Sequence, residues 1–235
     1  MKDYIFHLLF VWYPYICLTV FLLGSLIRFD REPYTWKASS SQILRKRQLR
    51  WGSNLFHVGI LFLLLGHTVG LLTPTSVYTL LLSVEQKQVI AVTAGGIAGV
   101  ICFAGLSLLL HRRLFDERIR RTSSAMDIAI LALLWTQLVL GLLTLPFSIH
   151  HRDGSVMLIL SHWAQGIVTL HPVDGSTLQG LDWPYLVHLV LGMTLFLVFP
   201  FSRLVHIWSA PVWYLGRRGY QVVRSRGSLP ARGRP

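Results

Sequence analysis

The chain has 235 residues, of which 53% are hydrophobic and only 14% charged, with a mean hydropathy of +0.53. These values exclude an ordinary soluble globular domain and define a membrane protein. A formal net charge of +12 would suggest nucleic acid as partner of a soluble protein. Here the basic residues gather in loops between apolar stretches, so no nucleic-acid partner is expected.

Five stretches reach the roughly 20 apolar residues that cross a bilayer, at about 4–27, 54–73, 88–110, 126–147 and 184–208. The expected fold is therefore all-α: a five-transmembrane-helix bundle over residues 1–214, with a basic tail at 215–235 whose Arg, Gly and Pro content predicts disorder. The first stretch follows only Lys2 as a basic residue and has no small-x-small cleavage site before Arg28, which predicts a retained helix rather than a signal peptide. Residues 29–51 form a polar, basic loop with Pro33, Trp36 and Ser39-Ser40-Ser41, in which a short surface helix is expected. The second stretch carries His57 and His67 beside Gly59, Gly66 and Gly70. Small residues there serve helix packing, or make room for a flat macrocycle next to a histidine.

Thr73-Pro74-Thr75 ends that stretch, and residues 80–88 read as a turn carrying Lys87. Gly95, Gly96, Gly99 and Gly105 line the third stretch and predict close helix contact. The fourth begins near Asp127, an expected N-cap, and contains Thr136, Gln137 and Thr144 as isolated polar residues. The longest connection, 148–183, includes Asp153-Gly154-Ser155 and an apolar run through Trp163 and Val168 that fits an interfacial helix. His188, Pro200 and His206 belong to the fifth stretch.

Charge sets the expected orientation. Seven Lys and Arg residues lie at 28–50, five at 112–121 and seven from Arg203 onward; the opposite side has only Lys2, Lys87 and Arg152. Because Lys and Arg are retained on the cytoplasmic side, the N-terminus is expected outside and the C-terminus in the cytoplasm, as five crossings require. Cys17 and Cys102 both sit in apolar stretches, and no Cys-x-x-Cys-His site is present. A disulfide would require their helices to touch.

Of ten histidines, His7, His111, His150, His151, His162 and His171 fall at span ends or in the long connection and read as solvated or interfacial. The other four lie within spans, where an unpaired imidazole costs a few kcal/mol and an ionisable residue marks function. His188 and His206 are eighteen residues apart, five helical turns and about 27 Å along one face. His57 and His67 are ten apart, about 15 Å along the axis. No two on one helix can share a metal. Helix two and helix five run in opposite directions, so equal depth pairs His57 with His206 and His67 with His188. The two axial separations differ by roughly 12 Å, which tilt and a kink at Pro200 must absorb. A b-type haem between each pair would have no open iron position and would suit electron transfer. A structural zinc site needs four close ligands. A histidine-lined transporter is the competing reading from a different class and needs more polar lining.

Several strings carry a family resemblance: Ser53-Asn54-Leu55-Phe56-His57-Val58-Gly59, Gly66-His67, His188-Leu189-Val190-Leu191-Gly192-Met193, and Pro200-Phe201-Ser202-Arg203-Leu204-Val205-His206-Ile207-Trp208. Gly141-Leu142-Leu143-Thr144 adds to them. The chain resembles the cytochrome b (gamma) subunit of membrane-bound respiratory nitrate reductases over nearly its whole length, to about Tyr214. The resemblance implies a subunit of the cytoplasmic membrane with two non-covalent b haems, the outer held by His67 and His188 and the inner by His57 and His206. It implies quinol oxidation near the outer haem, with Lys87 as a quinol contact and Gly66 permitting close approach. Without it, Lys87 reads as an interfacial lysine snorkelling to water. The implied partners are an iron–sulphur (beta) subunit and a molybdenum catalytic (alpha) subunit on the cytoplasmic face, the latter reducing nitrate to nitrite. The ligands alone fit equally a dihaem quinol subunit serving formate, hydrogen or sulphur chemistry.

Overall fold

Five helices are long and apolar enough to cross a membrane in the structure, a computed structural model that describes residues 1–36, 44, 46–150 and 153–209. They are α1 (Lys2–Arg31), α2 (Lys46–Leu72), α3 (Val84–Phe115), α4 (Ala125–His150) and the span Trp183–Phe201, whose α-helical part is α6 (Trp183–Val198); a shorter apolar helix, α5 (Ser155–Val168), lies in the long connection. Among the described residues there is no strand. The tail at 215–235 and the serines of the first loop lie outside the described residues; the part of that loop that is described forms one 3-10 turn at Pro33–Thr35.

Three boundaries differ from expectation. The second span begins at Lys46 rather than 54, because the basic residues ahead of it are good helix formers although they are not apolar. The third begins at Val84, so Lys87 belongs to the first turn of α3 and not to a preceding loop. The cause is a capping box: Ser83 Oγ accepts from the Gln86 N–H at 3.2 Å, and Gln86 Oε1 accepts from the Ser83 N–H at 2.9 Å. The fifth is not one helix to 208. It is α-helical only to Val198, turns 3-10 at Phe199–Phe201, passes through an extended Ser202, and resumes as a 3-10 segment at Arg203–Ser209. Pro200 supplies no N–H and its ring obstructs the preceding turn.

The helices pack in the order α2, α3, α4, α6, α1. Glycine decides the closest contact: a Cβ at Gly59 would lie 2.6 Å from Cys102 Cβ, and one at Gly52 would lie 3.1 Å from a Leu109 methyl. Gly99 similarly receives Leu142 from α4, and Trp135 Nε1 donates to Ser107 Oγ at 3.0 Å across the same pair. These contacts bear out close packing on α3. Elsewhere the surface is apolar, with Leu61, Phe62, Val69, Ile97 and Val100 exposed, as lipid-facing helices require. Cys17 and Cys102 are free, buried thiols.

At the end of the bundle that carries Lys87, α5 closes the structure. Pro14 has no N–H to offer the Phe10 carbonyl one turn back, and Trp163 Nε1 donates to that carbonyl at 2.7 Å. Gln165 Nε2 donates to Leu71 O at 2.9 Å, satisfying the C-terminus of α2. Phe10, Trp163, Ile167, Leu178 and Tyr185 form the buried core there. At the opposite end Asp127 is not the N-cap of α4. Ser124 is, accepting from the Asp127 N–H at 3.1 Å. The Asp127 carboxylate instead meets Arg113 at 3.3 Å and Arg203 at 3.7 Å, linking three segments of chain.

Candidate functional site

His67 stands on the exposed side of α2 one turn before its end, and His188 projects from α6. Their ring centroids are 6.3 Å apart, with planes inclined at 41°. Yet α2 and α6 are not among the closely packed helix pairs, so the rings meet across a gap between two helices. A metal–imidazole nitrogen bond is about 2 Å and the ring centre lies about 1 Å further, so two imidazoles flanking one ion have centroids about 6 Å apart. The observed spacing matches.

Hydrogen bonding fixes which nitrogen is available. His67 Nδ1 lies 2.7 Å from Leu63 O, and His188 Nδ1 lies 3.1 Å from Gln137 O. A carbonyl only accepts, so Nδ1 carries the proton and Nε2 keeps its lone pair, the state a metal ligand needs. Gln137 is therefore not isolated. Its own amide returns a bond to His188 O at 3.0 Å and reaches within 3.4 Å of His188 Nε2. One turn on, Gly141 leaves room for the ring, since a Cβ there would lie 2.9 Å from His188 Cε1. Neither role was readable from spacing, because both depend on α4 lying against α6.

His57 and His206 show the same preparation: His57 Nδ1 lies 2.7 Å from Ser53 O and His206 Nδ1 2.6 Å from Arg203 O. His150 and His171 make such contacts too, so the bond alone does not mark a ligand. The rings of His57 and His206 are not in contact in the way those of His67 and His188 are. The break in α6 changes their expected separation. Trp208 packs against Phe199 across it, with ring centroids 6.2 Å apart. The chain is not one α-helix beyond Val198, so the five-turn spacing of His188 and His206 no longer applies. From His188 to Val198 the helix rises about 15 Å, the same as from His57 to His67.

Lys87 is buried, at 8% exposure, and does not reach out to water. Its Nζ has no hydrogen-bond partner among the described residues and sits 3.6 Å from the centroid of Tyr78. Tyr78, on the single turn Thr75–Tyr78, is itself buried, and its hydroxyl is unpartnered. Gly66 and Gly70 have nothing within 4 Å of a built Cβ, so helix packing accounts for Gly52 and Gly59 but not for these two. Among the described residues, no three His, Cys, Asp or Glu side chains cluster, and a four-ligand zinc site is not built there.

Five helices long and apolar enough to cross a membrane define a multi-pass helical membrane protein, with His57, His67 and His188 on its spans. A family model described as the nitrate reductase gamma subunit matches residues 6–226. Over 214 residues, 91% of its length, the chain is 54% identical to the respiratory nitrate reductase 1 gamma chain of Escherichia coli strain K12, of which it covers 95%. It is 38% identical, over the same share of its length, to 95% of the nitrate reductase gamma chain of Bacillus subtilis strain 168. The chain belongs to the nitrate reductase gamma subunit family, and so is a subunit of an oxidoreductase complex.

Proposed function

We propose that this chain is the dihaem, quinol-oxidising membrane anchor of a respiratory nitrate reductase. His67 and His188 are the axial ligands at the Lys87 end, and His57 and His206 those at the Arg28 end. Two b haems held there supply one-electron transfer between a two-electron donor in the lipid and an iron–sulphur (beta) subunit, behind which a molybdenum (alpha) subunit reduces nitrate to nitrite. The observation that carries the reading is the opposed His67–His188 pair, the Nδ1 of each ring committed to a carbonyl so that its Nε2 carries the lone pair a metal needs.

The chain's own residues do the rest. The backbone acceptors Leu63 O and Gln137 O orient the rings and raise the basicity of Nε2. Lys87, with its ammonium desolvated over Tyr78, is placed to donate to a quinol oxygen. Gly66 leaves the face beside His67 free for quinol to approach. Each quinol oxidised yields two electrons and two protons, matching the reduction of one nitrate. With the N-terminus outside, as the distribution of Lys and Arg predicts, the protons leave on the outer side. An electron crossing inward against 100 mV then involves about 2.3 kcal/mol, which ties turnover to the membrane potential.

A dithionite-reduced minus oxidised spectrum of the purified protein, with haem extracted and counted, tests this directly. Two b haems per chain are expected; a chain without haem would end the redox reading. Copurification of the iron–sulphur and molybdenum subunits separates nitrate reduction from formate, hydrogen or sulphur chemistry.

A further inference from the structure

Helix α1, which carries none of the four paired histidines, makes specific side-chain contacts with the break in α6. Phe21, Gly24 and Arg28 are spaced three and four residues apart and so share one face of α1, while Leu22, Leu23, Leu26 and Ile27 face outward and are exposed. All three meet the broken segment. The Phe21 ring lies 4.8 Å from Phe199 and stacks at 5.4 Å on Trp208, on either side of the break. Gly24 receives the Pro200 ring, which a Cβ would approach to 2.8 Å. Arg28 Nη1 donates to Pro200 O at 2.6 Å and to Ser202 O at 2.8 Å, two carbonyls that a continuous helix would have satisfied internally. Its Nε donates to Thr35 Oγ1 at 3.1 Å, which anchors the guanidinium from the loop side.

We propose that the Phe21–Gly24–Arg28 face of α1 is a template that holds α6 broken and fixes the direction of the chain beyond the break, and that Gly24 and Arg28 are thereby positioning residues for His206. This rests on the reading of His206 as an iron ligand. A proline alone tolerates many exit directions, but a ring slot, an aromatic stack and a cation shared by two carbonyls select one. Arg28 has the donors that bridging requires, since one guanidinium nitrogen carries two hydrogens and a third donor is free for Thr35.

The test uses Arg28→Met, Arg28→Lys, Gly24→Leu and His206→Ala in the assembled complex in membranes. Haem is counted by extraction, midpoint potentials are measured by redox titration, and amide hydrogen exchange is followed over residues 203–209. Arg28→Met and Gly24→Leu are expected to lose one of the two haems, or to shift one potential while leaving the other unchanged, and to speed exchange at 203–209 about tenfold. Arg28→Lys is expected to restore part of the lost occupancy. If His206→Ala keeps both haems, the ligand reading fails and takes the proposal with it. If His206→Ala loses one haem while Arg28→Met and Gly24→Leu keep both at unchanged potential, the template alone is overturned. Loss of both haems in the α1 variants would assign α1 a general packing role and would likewise overturn it.

Discussion

An imidazole can serve as a metal ligand when its two nitrogens are given different work, and the surroundings of His188 have that form. Gln137 accepts from its Nδ1 through the main chain and donates to its main chain through the side chain, while Gly141 keeps the ring from being pushed away. His67→Ala and His188→Ala should each lower the haem content from two per chain to one and abolish quinol oxidation, while the membrane-inserted fold persists. Haem retained at two in either variant would break the pairing. Lys87 is the other residue at which burial and chemistry conflict. An ammonium inside protein costs several kcal/mol unless paired, and a ring face returns about 2 kcal/mol. Lys87→Met should therefore leave the Tm unchanged or raise it, keep both haems, and lower kcat/KM for quinol at least about tenfold, or about 1.4 kcal/mol. Unchanged kinetics would reduce Lys87 to a packing residue. The histidines were legible in the sequence because ionisable groups are rare in apolar spans. The burial of Lys87 was not, because an apolar window overlooks the Ser83–Gln86 capping box that puts it inside a helix.

Between elements, glycine does two different jobs on one helix. Toward the Arg28 end of α2, Gly52 and Gly59 bring α3 into contact; toward the other, Gly66 and Gly70 face open space. Gly59→Val should lower the melting temperature of the subunit, since overpacking at a backbone contact costs about 1–3 kcal/mol. Gly70→Ala should be neutral or stabilising by up to about 1 kcal/mol through helix propensity alone. Equal effects at the two positions would refute the distinction. Spacing showed that glycines recur along α2 but not which of them a neighbour fills. The break in α6 was likewise legible only as a proline. Its direction is set by Phe21, Gly24 and Arg28, which are more than 170 residues away in the chain.

At the scale of the molecule, the two ends differ in charge and in how they are tied. One end is closed by α5, through Trp163 and Gln165. The other is joined by Asp127, whose single carboxylate serves Arg113 and Arg203. Asp127→Asn removes the anion that Arg113 and Arg203 share and should destabilise the bundle by about 1–3 kcal/mol, seen as a fall in Tm. The orientation is open to a direct check because Cys17 and Cys102 are both buried. A cysteine replacing Lys2 should label with an impermeant maleimide added outside intact cells, and one replacing Arg118 should not. The opposite pattern would invert the topology.

The sequence by itself determined the membrane class, the five crossings and the presence of His57, His67 and His188 on them, because hydropathy and the cost of an ionisable group in lipid are local properties that no fold can alter. It also carried the family in its motifs. Only the tertiary structure decided that Gln137 and Gly141 meet His188, that Asp127 is a cross-link, and that α1 grips α6 at its break. Each of those depends on which helix lies beside which. In lipid, where every helix surface is equally apolar, hydropathy says little about neighbours; small residues, rings and a few hydrogen bonds choose them.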